Sequence, residues 1–331
     1  MLTYEKGGPL VELKVGITDH LEGRPDESSV GVFDEVGELV RVADECGVDY
    51  AWFAEHHANV HLGHMPAPLL FALHQSALTK RIHLGTAIIC LDLHHPRDAA
   101  EQVAVMDLLC GGRSAVGFGS ACTPEEQKLF GLEPIDETAR HQRFEQNLQT
   151  ILKIWNEPNA YPRPSGDLPS RCWLAANSAA AARIAGTFNF NLMFSHLRTV
   201  EQYRQMADVY HRAGGARQIA ANRPIFVGQD DESAFETAMP ALQVLRRRFQ
   251  QEGKIDAQQC EPRTIEALSA HPINFIVGGP QTVAREIRKL LDQFPFDVLN
   301  AELRWAGLSQ SDVRESLRRL MKEVLPLVPS R

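Results

Sequence analysis

The chain has 331 residues, 44% of them hydrophobic and 23% charged, with a formal net charge of -8; this is a globular composition with enough apolar side chains for a large core, and it argues against disorder. No basic run is long enough to track a phosphate backbone, which disfavours nucleic acid as a partner, and no run approaches the roughly 18 apolar residues of a membrane helix. Met1 to Pro9 are polar and Gly-rich rather than signal-like, so a cytoplasmic protein with a small-molecule site is expected.

In chain order, Lys14 to Ile17 reads as a first strand, and Val32, Phe33, Val36, Leu39, Val40, Ala43 and Cys46 recur at helical spacing up to Gly47. Tyr50 to Ala54 is a second strand. Pro68 opens a helix to Leu78, Ile82 to Ile89 is a third strand, and Pro96 opens a helix to Leu109 that stops at Gly111-Gly112. Ser114 to Phe118 is a fourth strand. Phe144, Leu148, Ile151, Leu152 and Trp155 form one helical stripe, and the Pro-rich run from Pro158 to Pro169 is a loop at the end away from the active site.

Cys172 to Ala176 is a fifth strand and Asn191 to Phe194 a sixth, with helices at Ala179 to Ala185 and Thr199 to Arg212. The seventh strand is placed near Ile225-Phe226-Val227, followed by a helix with an excursion over Ser233 to Pro272. Gly278-Gly279-Pro280 opens a helix to about Leu291, Asp297 to Leu303 is the last strand, and Ser309-x-x-Asp312 resembles a capping box. Eight such units predict an α/β fold, a (β/α)8 TIM barrel forming one domain over residues 1–331 with insertions at its C-terminal face, region 229–275 being the candidate lid.

Strand C-terminal ends carry function in such barrels. The second delivers Glu55, His56, His57, His61 and His64. Adjacent histidines on an extended segment point to opposite sides, and the spacing lacks the one-sided arrangement a metal needs, so no metal site is assigned. A histidine beside a carboxylate suits proton transfer instead. Gly117-Phe118-Gly119-Ser120 allows close approach of a ligand to backbone, Asn177-Ser178-Ala179-Ala180 starts a helix that can receive a phosphate, and Arg140 can add a charged contact. The G-x-G-x-x-G, P-loop and G-x-S-x-G motifs are absent. Six scattered cysteines form no C-x-x-C pair and read mainly as buried thiols, Cys122 lying in a loop.

The runs Trp52-Phe53-Ala54-Glu55-His56-His57, Arg81 to Ile88, His95-Pro96, Gly112-Arg113 and Gly117-Phe118-Gly119 occur in this order. With the later runs Trp173 to Ser178 and Gly278 to Val283, they resemble the bacterial luciferase-like family of flavin-dependent monooxygenases over nearly the whole chain. The resemblance implies a barrel that binds reduced FMN at its C-terminal mouth, reacts it with oxygen to a C4a-peroxyflavin and oxygenates a small organic substrate. It makes His56 the catalytic histidine and maps a non-prolyl cis peptide to Ala87-Ile88, beneath the flavin. Cofactor contacts are expected from Glu55, Ala87, Ile88, Gly119, Ser120, Arg140, Asn177, Ser178, Ala179 and Ser195. The reactive cysteine of bacterial luciferase is Gly119 here and the arginine after it is Ser120, so one phosphate charge partner is missing and light emission is not expected. A separate flavin reductase and a homodimer formed through the second and third helices are implied. The competing readings are a deazaflavin (F420)-dependent oxidoreductase, a non-catalytic flavin-binding barrel, and a metal-dependent hydrolase using His56, His61 and His64.

Overall fold

The computed structural model describes residues 12–23, 27–58, 62–120, 123–133, 135–251, 264, 267–268 and 274–328. Strands β1 (Lys14–Asp19), β2 (Tyr50–Phe53), β3 (His83–Cys90), β4 (Ser114–Gly119), β5 (Trp173–Ala175), β6 (Asn191–Phe194), β7 (Ile219–Val227) and β9 (Val298–Glu302) pair in parallel, each with its neighbour. The ring closes through β7 on β9 and β9 on β1. It is the eight-stranded TIM barrel that the alternation predicts.

Outside it pack α1 (Ser29–Cys46), α2 (Pro68–Leu78), α3 (Pro96–Leu109), α5 (Glu137–Asn156), α7 (Ala179–Thr187), α8 (Val200–Arg212), α10 (Pro280–Gln293) and α11 (Gln310–Arg319). Their starts are chemically marked: Ser28, Asp136, Ser178, Thr199 and Ser309 each cap a first turn with a side-chain oxygen, satisfying an N–H that the helix leaves without a partner.

Several elements differ from the sequence reading. The seventh strand begins at Ile219, and its first half pairs with β6 and β9, whereas Ile225–Val227 pairs with an extra strand, β8 (Ile276–Gly278). Pro224 obscured this, because a proline inside a strand pattern reads as a boundary. Gly278 therefore ends a strand before it introduces a helix. Between β4 and α5 lies a short helix that the sequence reading did not mark, α4 (Pro124–Leu129), and the Pro-rich run ends in α6 (Leu168–Arg171). In the region 229–275, α9 (Asp231–Gln251) starts earlier than expected and runs through Pro240; most of the rest of the candidate lid lies outside the described residues, as do His61, Cys122 and Cys260.

The barrel lumen is filled by a cluster of Tyr50, Trp52, Trp173, Met193 and smaller residues. Trp52 and Trp173, each at most 1% exposed, meet edge to face with centroids 5.3 Å apart. Room for them comes from Gly85, where a Cβ would stand 1.8 Å from the Ala115 carbonyl oxygen and 2.6 Å from the Trp52 ring. Trp52 Nε1 donates to Asn300 Oδ1 (3.0 Å), and Asn300 Nδ2 donates to Asn222 Oδ1 (2.9 Å). The buried N–H is satisfied, and the chain of bonds reaches a residue on the floor of the cavity above. Trp173→Ala should destabilise the protein by about 3–5 kcal/mol, the range for emptying a large aromatic site in a core, read from chemical denaturation midpoints; a loss below about 1 kcal/mol would show that the plug is dispensable.

Candidate active site

Above the indoles, at the C-terminal ends of the strands, is a cavity of about 560 Å³. Its walls differ in chemistry. Toward β3, β4 and β5 they are Ala87, Ile88, Gly119 and Ala175, small or apolar and shaped for a flat group. The Ala87-Ile88 peptide bond is cis, at the position where the resemblance places one, and the β3–β4 register shifts between Thr86 and Ile89. A Cβ on Gly119 would press to 2.4 Å from Ile88 Cδ1, so glycine keeps this wall flat.

His56 lines the cavity and His57 turns the other way, as the alternation of an extended segment requires. His56 Nε2 is 3.2 Å from His20 Nδ1, the two rings being stacked, and His56 Nδ1 is 3.5 Å from Glu126 Oε1, at the outer limit of hydrogen bonding. Glu126 belongs to α4, whose capping box is closed by Thr123 N donating to Glu126 Oε2 (2.7 Å), while His57 N donates to Oε1 (3.0 Å). Burial acts to raise the Glu126 pKa, but the contacts from His56, Thr123 N and His57 N outweigh it and lower the carboxyl from 4.5 to about 2. An anion is thus fixed beside His56 Nδ1. The other ring nitrogen, Nε2, faces His20.

Glu55, expected among the cofactor contacts, does not line the cavity. Its fully buried carboxylate accepts from Cys90 N (3.0 Å) and lies against His57 Nε2 (2.9 Å) and His94 Nε2 (2.8 Å), tying the end of β2 to the turn after β3. That contact raises the His94 pKa against the opposing effect of burial. Ala179 likewise faces an outer groove rather than the main cavity. Ser120, Arg140, Asn177, Ser178 and Ser195 do line the cavity.

At its α5–α7 end, Ser178 caps α7, its hydroxyl accepting from Ala181 N (3.2 Å) and lying 3.3 Å from His141 Nε2. The first-turn N–H groups and the helix dipole make this end attractive to an anion. Arg140 on α5 lines it, and so does Arg198, on the β6–α8 loop, which the sequence reading did not single out.

Arg304, His196 and Glu302 also line the cavity. Arg304 Nε and Nη2 donate to the Asp19 carboxylate at 3.0 and 3.1 Å, and Nη2 also to Glu22 O (2.8 Å). Burial works against the Arg304 cation, but Asp19 more than offsets it and raises its pKa. His196 Nδ1 is 2.8 Å from Glu302 Oε1. None of these four was legible in the sequence, because the partners are up to 285 residues apart.

The family described as luciferase-like monooxygenase matches residues 13–296. The oxygenase component of a flavin-dependent trigonelline monooxygenase from Acinetobacter baylyi is 23% identical over 340 aligned residues, covering 93% of each chain. The oxygenating constituent of 3,6-diketocamphane monooxygenase from Pseudomonas putida, solved with FMN, superposes with a TM-score of 0.80 at 21% identity, over 96% of this chain and 100% of that one. A coenzyme F420-dependent tetrahydromethanopterin reductase from Methanopyrus kandleri shares the fold at a TM-score of 0.70 and 17% identity, over 95% and 99% of the two chains.

Because the folded Glu126 pKa lies below its ordinary value, the stability it contributes is complete above pH 4.5 and is lost as the pH falls through about 2. Glu126→Gln should therefore lower the thermal midpoint by a constant amount above pH 4.5, and the gap to the parent should close toward pH 2. Parallel curves across that window would remove the ionised carboxylate from the account.

Proposed function

This chain belongs to the luciferase-like monooxygenase family, and we propose that it works as an oxygenase component that uses reduced FMN and dioxygen to oxygenate a small organic substrate. The observation that carries this reading is one cavity that joins three chemistries: a small, flat wall at Ala87, Ile88 and Gly119, an anion-attracting end at Ser178 and Arg140, and His56 with the Glu126 carboxylate 3.5 Å from its Nδ1. A flavin mononucleotide needs the first two, and proton transfer needs the third.

Bound reduced FMN would supply the electrons that activate dioxygen. The chain's own residues do the rest. Ala87, Ile88 and Gly119 bear the ring, Asn177, Ser178 and Arg140 hold the phosphate, and the Trp52–Trp173 floor closes the site to water from below. His56 gives or takes a proton through Nε2, a contribution of about 10²- to 10⁴-fold for a positioned acid–base group. The expected contacts of Glu55 and Ala179 are not part of this reading. The absence of a dinucleotide fingerprint supports reduced flavin arriving from a separate reductase. Leu70, Leu78, Val105, Leu108 and Leu109 on α2 and α3 are all at least 40% exposed, an apolar surface that supports a homodimer.

Anaerobic titration with reduced FMN and with reduced deazaflavin, followed by admission of oxygen, tests the assignment. Reduced FMN should bind and be reoxidised on the protein, with oxygen uptake coupled to substrate in a screen of ketones, aldehydes and aromatic acids. Binding and hydride transfer with the deazaflavin alone would move the protein to the other branch of the fold. His56→Ala should bind reduced FMN within about threefold of the parent and lose about 10²- to 10⁴-fold in product formation; undiminished turnover would take His56 out of the mechanism.

A further inference from the structure

The resemblance places an arginine where this chain has Ser120, so the other cations that line the cavity bear on how a phosphate would be held. Three arginines line the cavity. Arg304 is neutralised by Asp19. Arg140 and Arg198 make no side-chain hydrogen bond and no ion pair with any described residue, and the Nε of each is buried without a partner. An unpaired guanidinium beside a solvent-shielded wall is a costly arrangement unless a ligand completes it.

The two arginines come from different elements that flank the same helix end. Arg140 is on the first turns of α5, and Arg198 is in the loop that follows β6, three residues after Ser195. Asn177, Ser178 and Arg198 also form the wall between the main cavity and a groove of about 340 Å³ along α8. Arg198 thus stands at the anion-attracting end that Arg140 also lines. Glu137 lines the cavity without an ion pair to Arg140, and Asp92, on which the Arg140 charge also acts, is already ion-paired with Arg143.

We propose that Arg198 is a cofactor-binding residue that forms, with Arg140, a two-guanidinium clamp on the terminal phosphate, replacing the charge missing at Ser120. This rests on the flavin reading above. A phosphate monoester carries close to two negative charges at neutral pH, and two arginines with the α7 N-terminus match that charge, with donors that suit phosphate oxygens. One arginine and a serine would leave it undercompensated in a half-buried site.

The test compares oxidised FMN with riboflavin, which lacks the phosphate, by quenching of flavin fluorescence, and follows inorganic phosphate by phosphorus NMR line broadening. Arg198→Gln should weaken FMN at least tenfold, about 1.4 kcal/mol, leave riboflavin unchanged and abolish phosphate broadening. Adding Ser120→Arg to Arg198→Gln should restore FMN binding, since the charge returns from the neighbouring strand end. Unchanged FMN affinity in Arg198→Gln would overturn the clamp, and so would equal weakening of FMN and riboflavin, which marks a structural role. Phosphate binding that depends on Arg198 in a protein that takes up no flavin would support the clamp and sink the flavin reading; tight FMN binding indifferent to Arg198 would do the reverse.

Discussion

The edge-to-face contact of Trp52 with Trp173 decides where this molecule can have a site. An eight-stranded parallel barrel has a lumen just wide enough to be filled by side chains, and here two indoles, with Tyr50 and Met193, form the cluster that fills it. They fit because β3 offers Gly85 instead of a side chain. With the lumen closed at this level, the residues one step further along each strand cannot pack inward and instead line an open cavity. The polar link from the Trp52 Nε1 through Asn300 to Asn222 satisfies the buried indole and ends on the cavity floor, so packing and site share one network.

Around that floor, buried carboxylates set the positions of the working groups. Glu55 pins the β2 end to the turn after β3, Glu126 sets a carboxylate beside His56, and Asp19 neutralises Arg304 between the ends of β1 and β9. Removing one partner of such a pair leaves a buried charge without compensation, which is far more costly than losing a surface pair. At the α5–α7 end the pattern reverses: Arg140 and Arg198 form no ion pair with a carboxylate of the described residues, and the proposed phosphate would supply the missing charge.

Much of this was legible along the chain. The alternation of short β-rich runs with amphipathic stretches gave seven of the eight barrel strands nearly at their observed positions, and glycines and prolines marked the helix ends. His56, Ser178 and Arg140 stood out because strand ends and helix starts are recognisable locally. Glu55 misled for an instructive reason: its place beside His56 is a fact of sequence, but an extended chain sends neighbouring side chains to opposite faces, and Glu55 goes into the wall. The seventh strand was misplaced because Pro224 interrupts a strand that continues on both sides of it by pairing with different neighbours.

By itself the sequence determined the barrel, the order of its units and the strand end that carries His56, since all of these follow from local periodicity and short motifs. Only the tertiary structure decided which acid serves that histidine. Glu126 lies 70 residues further on, in a helix of six residues too short to show a period, and it reaches His56 because α4 folds back over the end of β2. The same holds for Arg198 and for the Asp19–Arg304 pair. Charge partners across a closed barrel are set by which strand ends meet, and that proximity exists only once β9 has paired with β1.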